Sequence, residues 1–260
     1  MTKVSDIRDY LFSIAPQSLK MDFDNVGLLV GSPDREVEKI LVALDITGTV
    51  INEAMAKNAG LIVSHHPVIW DAMKSVTGDT VQGAKVMKLL ENGISAVCMH
   101  TNLDIAPGGV NDVLMELLGA KATGILEPTS DSDGCGRVGK LPAEKPLKAF
   151  LADCKEALNA NGLRYYDAGM PVKNLAVMGG SGGSCVELAK ALGCDTYVTA
   201  DVKHDQFITA AELGINLVDG GHFSTENPIV PVLARLLATK FPDISVEISA
   251  LHRQTEQFFC

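Results

Sequence analysis

Leu61-Ile-Val-Ser-His-His-Pro67 decides how this chain is read. Leu61 to Val63 are apolar and read as the interior of a buried strand, and Pro67 cannot continue a central strand because it has no amide to give to the ladder. Between them the run delivers Ser64, His65 and His66 to the strand's end. Neighbouring side chains on a regular strand point to opposite faces. His65 and His66 therefore suit one site only if the chain has left the strand there, or if they serve two different metal ions.

Working outward, strand-like and helix-like segments alternate. Ile7, Tyr10, Leu11 and Ile14 recur at helical spacing ahead of Pro16. Val26–Val30 and Lys39–Asp45 read as strands, 49–59 as a helix, Val81–Glu91 as a helix, Ile94–Met99 as a strand and Gly109–Leu118 as a helix. Residues 119–136 turn rich in Gly, Pro, Thr, Ser and Asp and read as a boundary or exposed loop. Beyond them come a helix at 147–158, strands at 175–178, 196–199 and 216–219, helices near 205–213 and 225–238, and a short strand at 245–248. Apolar strands alternating with helices argue for an α/β protein with mostly parallel sheets covered on both faces. The expected division is an α/β lobe over residues 1–126 and a second α/β lobe over 127–260, with the question of whether 230–260 packs back on the first lobe left open.

The chain has 260 residues, long enough for a sizeable core. With 22 Lys plus Arg against 32 Asp plus Glu, its formal net charge is −10. That balance argues against nucleic acid and anionic membrane surfaces as partners, since both need clustered cations. A small anionic substrate held by local cations stays compatible with it. The six cysteines, Cys98, Cys135, Cys154, Cys185, Cys194 and Cys260, show no C-x-x-C spacing, so neither a zinc knuckle nor a thioredoxin-type motif is indicated. Cys98 and Cys194 read as small core residues. The first ten residues lack the apolar core of a signal peptide, and no apolar run approaches transmembrane length. The expected location is a reducing cytoplasm.

Ligands bind beyond the carboxyl ends of parallel strands, and four strand ends here carry polar residues: Ser64-His65-His66, His100 to Asp104, Asp201 to His204, and Asp219 to Glu226. Five of the six histidines lie in these segments. His222 and Glu226 are four apart at a helix start and share one face. His100 and Asp104 have the same spacing in a context that reads as loop. Imidazole and carboxylate donors suit Zn, Mn, Fe or Ni. The five candidates His65, His66, Asp104, His222 and Glu226 exceed what one catalytic zinc takes from protein and are about right for two divalent ions. Any one of these histidines alone would more often be an ordinary hydrogen-bonded residue; the combination favours metal. His204 is the weakest, with a supporting or substrate-facing role at most.

Met178-Gly-Gly-Ser-Gly-Gly-Ser184 follows a strand and opens a helix, so Gly180, Gly182 and Gly183 are candidates for presenting amides to a phosphate. A tight strand-to-helix turn explains them equally well. The dinucleotide fingerprint is imperfect, with Cys185 at its third small position, there is no P-loop lysine, and Asp201 is only a weak match to a ribose-binding acid. Asp22-Phe-Asp24-Asn25 reads as a turn with capping roles.

With these residues in view, the chain resembles the GTP cyclohydrolase 1 type 2 homolog family, the NGG-one-interacting-factor-three-like proteins with two metal ions. The resemblance spans nearly the whole chain and rests on Asp24-Asn-Val-Gly-Leu28, Ser64-His-His-Pro67, His100-Thr-Asn-Leu-Asp104, Gly179-Gly-Ser-Gly-Gly183 and Asp219-Gly-Gly-His-Phe-Ser-Thr-Glu226. It implies two α/β lobes with the metals between them, ligands His65, His66, Asp104, His222 and Glu226, His100 close by as a proton carrier, and a toroidal homohexamer. Phe23 stands where the family usually has Trp, and is expected to be a packing position. The chain lacks the central insertion of longer members. The implied reaction is attack of metal-activated water on a nucleotide-like small molecule. A phosphoester or pyrophosphate hydrolase would need the same parts, and a non-catalytic metal-binding interaction protein is the alternative from another class.

Overall fold

The structure, a computed structural model, describes residues 1–259; Cys260, counted above among the cysteines, lies outside the described residues. In chain order the elements are α1 (Val4–Ile14), β1 (Gly27–Val30), β2 (Lys39–Ala43), α2 (Gly48–Ala56), β3 (Leu61–Ser64), α3 (Val81–Glu91), β4 (Ser95–Cys98), α4 (Thr101–Ile105), α5 (Val110–Leu117), β5 (Lys121–Pro128) and β6 (Gly134–Lys145). They continue with α6 (Leu147–Ala157), β7 (Arg164–Tyr166), β8 (Val172–Val177), α7 (Val186–Ala191), β9 (Thr196–Thr199), α8 (His204–Leu213), β10 (Asn216–Asp219), α9 (His222–Glu226), α10 (Ile229–Lys240) and β11 (Ser245–Ile248). The chain divides into two compact units, Met1–Ala106 with Ile229–Arg253, and Pro107–Pro228 with the residues from Gln254 on.

The first unit holds a five-stranded sheet in the order β1-β4-β3-β2-β11, parallel except for β1. Its strands are apolar because helices cover them. Leu41, Ile62, Ala96 and Cys98 pack with Val50 and Ile51 of α2 and Val86 and Leu89 of α3, all buried. Burial pushes the Cys98 thiol up to about 11, as expected of an inert core residue. β11 pairs in parallel with β2, so residues 229–253 complete this unit's sheet. Glu53 of α2 secures the segment after β11: it accepts from Ala250 N (2.9 Å), Leu251 N (3.2 Å) and the Ser249 hydroxyl. Burial opposes the charge on Glu53, but these bonds and the one from Lys57 outweigh it and hold its carboxyl down at about 2.

The second unit holds a six-stranded sheet, β5-β6-β8-β9-β10-β7. Only β8, β9 and β10 are parallel; β5, β6 and β7 join antiparallel. This corrects the expectation of a mostly parallel second sheet. The stretch read as a boundary loop is largely the hairpin of β5 and β6, and the boundary expected at 126/127 falls inside β5. Its Gly, Thr and Ser residues weakened the strand signal because β5 is an exposed edge strand, with Lys121 to Thr123 in solvent. The helix expected over 225–238 is two: α9 ends at Glu226, and α10 starts after Pro228, which has no amide to give to the helical ladder.

Candidate metal centre

In the first unit, β2, β3 and β4 run in register, Ala43 opposite Ser64 and Ser64 opposite Cys98. Asp45, His66 and His100 each lie two residues past that shared line. Parallel pairing therefore brings an aspartate and two histidines from distant sequence to one sheet edge, and His65 joins them. The chain has left the strand after Ser64, which resolves the alternation problem: the His65 and His66 rings are 5.0 Å apart, and His100 lies 5.2 and 5.6 Å from them. One nitrogen from each of the three lies within 4.8 Å of the other two.

Each of these imidazoles is oriented by an oxygen. Nδ1–H of His65 donates to the Met99 carbonyl, that of His66 to Asp45 and that of His100 to Asp24, all at 2.8 Å. A bond at Nδ1 turns Nε2 the other way, the arrangement a metal ligand needs, and such outer bonds also make the ring a better donor. Asp24 is buried and further accepts from the Thr101 amide (2.9 Å) and hydroxyl (2.5 Å). Burial opposes its ionisation, but the bonds from His100 and Thr101 prevail and hold the carboxyl at about 2. Asp104 lies on α4 rather than in a loop, because His100 starts a short helix there. One helical turn brings its Oδ1 to 3.6 Å from His65 Nε2.

The second unit repeats the plan on β8, β9 and β10. Thr199 pairs with Asp219; Asp201 lies two residues beyond the first and His222 three beyond the second. Asp219 is buried and accepts from Val202 N (3.1 Å), Gly221 N (3.0 Å) and the Arg164 guanidinium. It thus shapes both loops. His222 Nδ1–H donates to Asp201 (2.8 Å) and its Nε2 is 3.1 Å from Glu226 Oε2. Asp201 adopts a left-handed backbone (φ 51°), a conformation Asp tolerates better than most residues. His204 is exposed at the first residue of α8. A pocket of about 280 Å³ beside His222 is lined by Arg164, Asp201, Asp219 and Phe258 among others.

Of the two roles open to the glycine loop, Gly180 and Gly182 serve the tight strand-to-helix turn. The amides of Gly180 and Gly182 donate to Thr225 Oγ1 and Thr199 Oγ1, both at 3.1 Å, and Gly179 N donates to Asn111. Those amides are engaged within the protein instead of being presented to a phosphate. The glycines are needed for closeness: a Cβ on Gly180 (φ 65°) would stand 2.2 Å from Glu226 Oε1, and one on Gly183 would stand 2.1 Å from Gln206 Oε1.

The donor set fits a divalent ion. Two donors each about 2.1 Å from one tetrahedral ion are about 3.4 Å apart, and the His65–Asp104 and His222–Glu226 separations of 3.6 and 3.1 Å bracket that figure. His100 shares the three-histidine cluster with His65 and His66. Sequence reasoning missed Asp45 and treated Asp24 as a turn residue. Counting two residues past each strand end would have found Asp45; Asp24 gave no such signal, because only folding brings it to His100.

The family model for Duf34/NIF3 (NGG1p interacting factor 3) matches residues 2–257. Two relatives carry the name GTP cyclohydrolase 1 type 2 homolog. The one from Clostridium acetobutylicum is 37% identical over 90% of this chain and 89% of its own length, and the one from Clostridium perfringens is 38% identical over 88% of each. Among solved structures, a Bacillus cereus protein related to NIF3 matches with a TM-score of 0.93 at 25% identity over 100% of this chain and 99% of that one. Reduced HcgD from Methanocaldococcus jannaschii matches at 0.82 with 30% identity over 96% and 98%.

Proposed function

The chain belongs to the Duf34/NIF3 family, and from that premise we propose that it is a metal-dependent hydrolase holding two divalent ions through His65, His66, Asp104, His222 and Glu226. The observation that carries this reading is the convergence of donor atoms: one nitrogen from each of His65, His66 and His100 lies within 4.8 Å of the other two, and carboxylate oxygens of Asp104 and Glu226 stand 3.6 and 3.1 Å from Nε2 of His65 and His222. In the ligand histidines His65, His66 and His222, Nδ1 lies 2.8 Å from an oxygen, which turns Nε2 the other way.

The bound ions would supply Lewis acidity and bring the pKa of water toward neutrality. The rest falls to the chain. Asp45 and Asp201 hold His66 and His222 in their coordinating tautomer. Asp24 holds His100, whose Nε2 moves a proton between water and leaving group. The relatives' name points to a nucleotide-like substrate and to opening of a guanine ring, and phosphoester hydrolysis is the second chemistry the same donors support. As in the family resemblance, assembly as a homohexamer is part of the proposal and is read by light scattering.

The test is metal content per chain by elemental mass spectrometry. The wild type is expected to hold about two equivalents, and His65→Ala and Glu226→Ala to lose one or both. A wild type that takes up neither Zn, Mn nor Fe on reconstitution would falsify the proposal. With the metal identified, hydrolysis of GTP and of simple phosphoesters separates the two chemistries.

A further inference from the structure

Trp70, the only tryptophan of the chain, is half exposed, and its ring stands 5.2 Å from that of His100 at an interplanar angle of 70°. Its backbone is nonetheless secured on both sides. Asn25 Nδ2 donates to the Ile69 carbonyl (2.8 Å), and Gln82 of α3 accepts from Trp70 N (3.4 Å) and donates to the Asp71 carbonyl (3.2 Å). The indole is thus backed by an imidazole and tethered, yet left open to solvent. The same turn that supplies Asn25 supplies Asp24, which orients His100. Just before them stands Phe23, which is 71% exposed. This overturns the expectation of Phe23 as a packing position. Three consecutive residues therefore turn an aromatic ring outward, hold the imidazole, and hold the loop bearing the tryptophan.

Large aromatic side chains are ordinarily drawn inside by the area they bury. Trp70, left open beside the histidine cluster, and Phe23, the residue before the aspartate that holds His100, each offer a π-face on which a flat ring stacks. We propose that Trp70, together with Phe23, is a stacking platform for a planar heteroaromatic ring, the base of a free nucleoside or mononucleotide, beside His100. A nucleic-acid strand would need a cationic groove along its phosphates, and the net charge of −10 sets this chain against one. The inference rests on the hydrolase reading only for what happens to the ligand after it binds.

Because Trp70 is the sole tryptophan, its emission reports on this place alone. Guanosine, adenosine and ribose 5-phosphate are titrated, with absorbance correction, into the full chain, metal-stripped and zinc-restored. Both nucleosides are expected to quench saturably and ribose 5-phosphate is not. In equilibrium dialysis with guanosine, Trp70→Leu and Phe23→Ala should each bind at least about fivefold more weakly, the lower end of what one stacked base contributes. Trp70→Phe, which keeps a ring, should retain most of the affinity. The proposal is overturned by absence of saturable quenching in both metal states, by equal quenching with ribose 5-phosphate, or by Trp70→Leu and Trp70→Phe behaving alike. Normal metal uptake with no nucleoside binding removes only the platform; nucleoside binding without metal uptake removes only the hydrolase reading.

Discussion

In the first unit three imidazoles come from two adjacent parallel strands in register, and their carboxylate neighbours come from β2 and the Asp24 turn. In the second unit one imidazole and one carboxylate come from a single five-residue helix after β10. The first arrangement is the more buried: His65 is fully inaccessible and His100 is 8% exposed, while the His66 side chain keeps 19% of its surface in solvent. In the second, Glu226 is buried while the His222 side chain keeps a third of its surface in solvent. What supports each also differs. The first edge stands on the sheet's own ladder, which also fixes β11 and, through Glu53, the segment after it. The second depends on close approach of a glycine loop to Glu226. A centre made on a ladder should resist local change, and one made by close packing of a loop should be sensitive to a single added carbon.

The largest expected effect tests the first half of that contrast. Glu53→Ala strips the partners from Ser249, Ala250 and Leu251 and should destabilise the chain by about 3 kcal/mol in urea unfolding. Its pH dependence has a definite sign. The carboxyl sits at about 2 in the folded chain against its ordinary 4.5, so its ionised form favours folding. That contribution, about 3 kcal/mol from the difference, is complete above pH 4.5 and is lost as pH falls toward 2. Glu53→Gln should flatten the stability profile in that window; an unchanged profile would remove Glu53 as the clamp.

Gly180→Ala probes the second half. The added methyl meets Glu226 Oε1 and the backbone is left-handed, so a loss of about 2 kcal/mol in thermal unfolding is expected. Metal uptake should fall with it, since Glu226 must move. Normal uptake with lowered stability would show that the carboxylate has room to yield.

Next come the carboxylates that orient the imidazoles. Asp45→Ala and Asp201→Ala are each expected to weaken metal affinity at least about tenfold in a chelator competition. If the ladder makes the first edge the more tolerant, Asp201→Ala is the more damaging of the two; equal losses would erase that distinction. The smallest effect is Tyr197→Phe. The buried hydroxyl donates to the Gly182 carbonyl at 2.6 Å, and removing it should cost about 1 kcal/mol without altering metal uptake.

Much was legible before folding. The strand at Leu61–Ser64, the helix at Val81–Glu91 and the strands at Thr196–Thr199 and Asn216–Asp219 lie where apolar periodicity puts them, because buried parallel strands and amphipathic helices write their burial directly into the chain. The histidines stood out because they follow such strands. Hidden were the edge hairpin of β5 and β6, whose outer strand faces solvent and carries little apolar signal, and the helix break at Pro228, which lies in an otherwise helical pattern.

The sequence by itself determined the α/β class, the strand ends that carry His65, His66, His100 and His222, and the Glu226 spacing, since each depends on residues close in the chain. Only the tertiary structure decided which oxygen orients each imidazole. Asp45 reaches His66 across 21 positions, Asp201 reaches His222 across 21, and Asp24 reaches His100 across 76. Those partners meet because strands far apart in sequence pair in register, and pairing between distant segments leaves no local period to read.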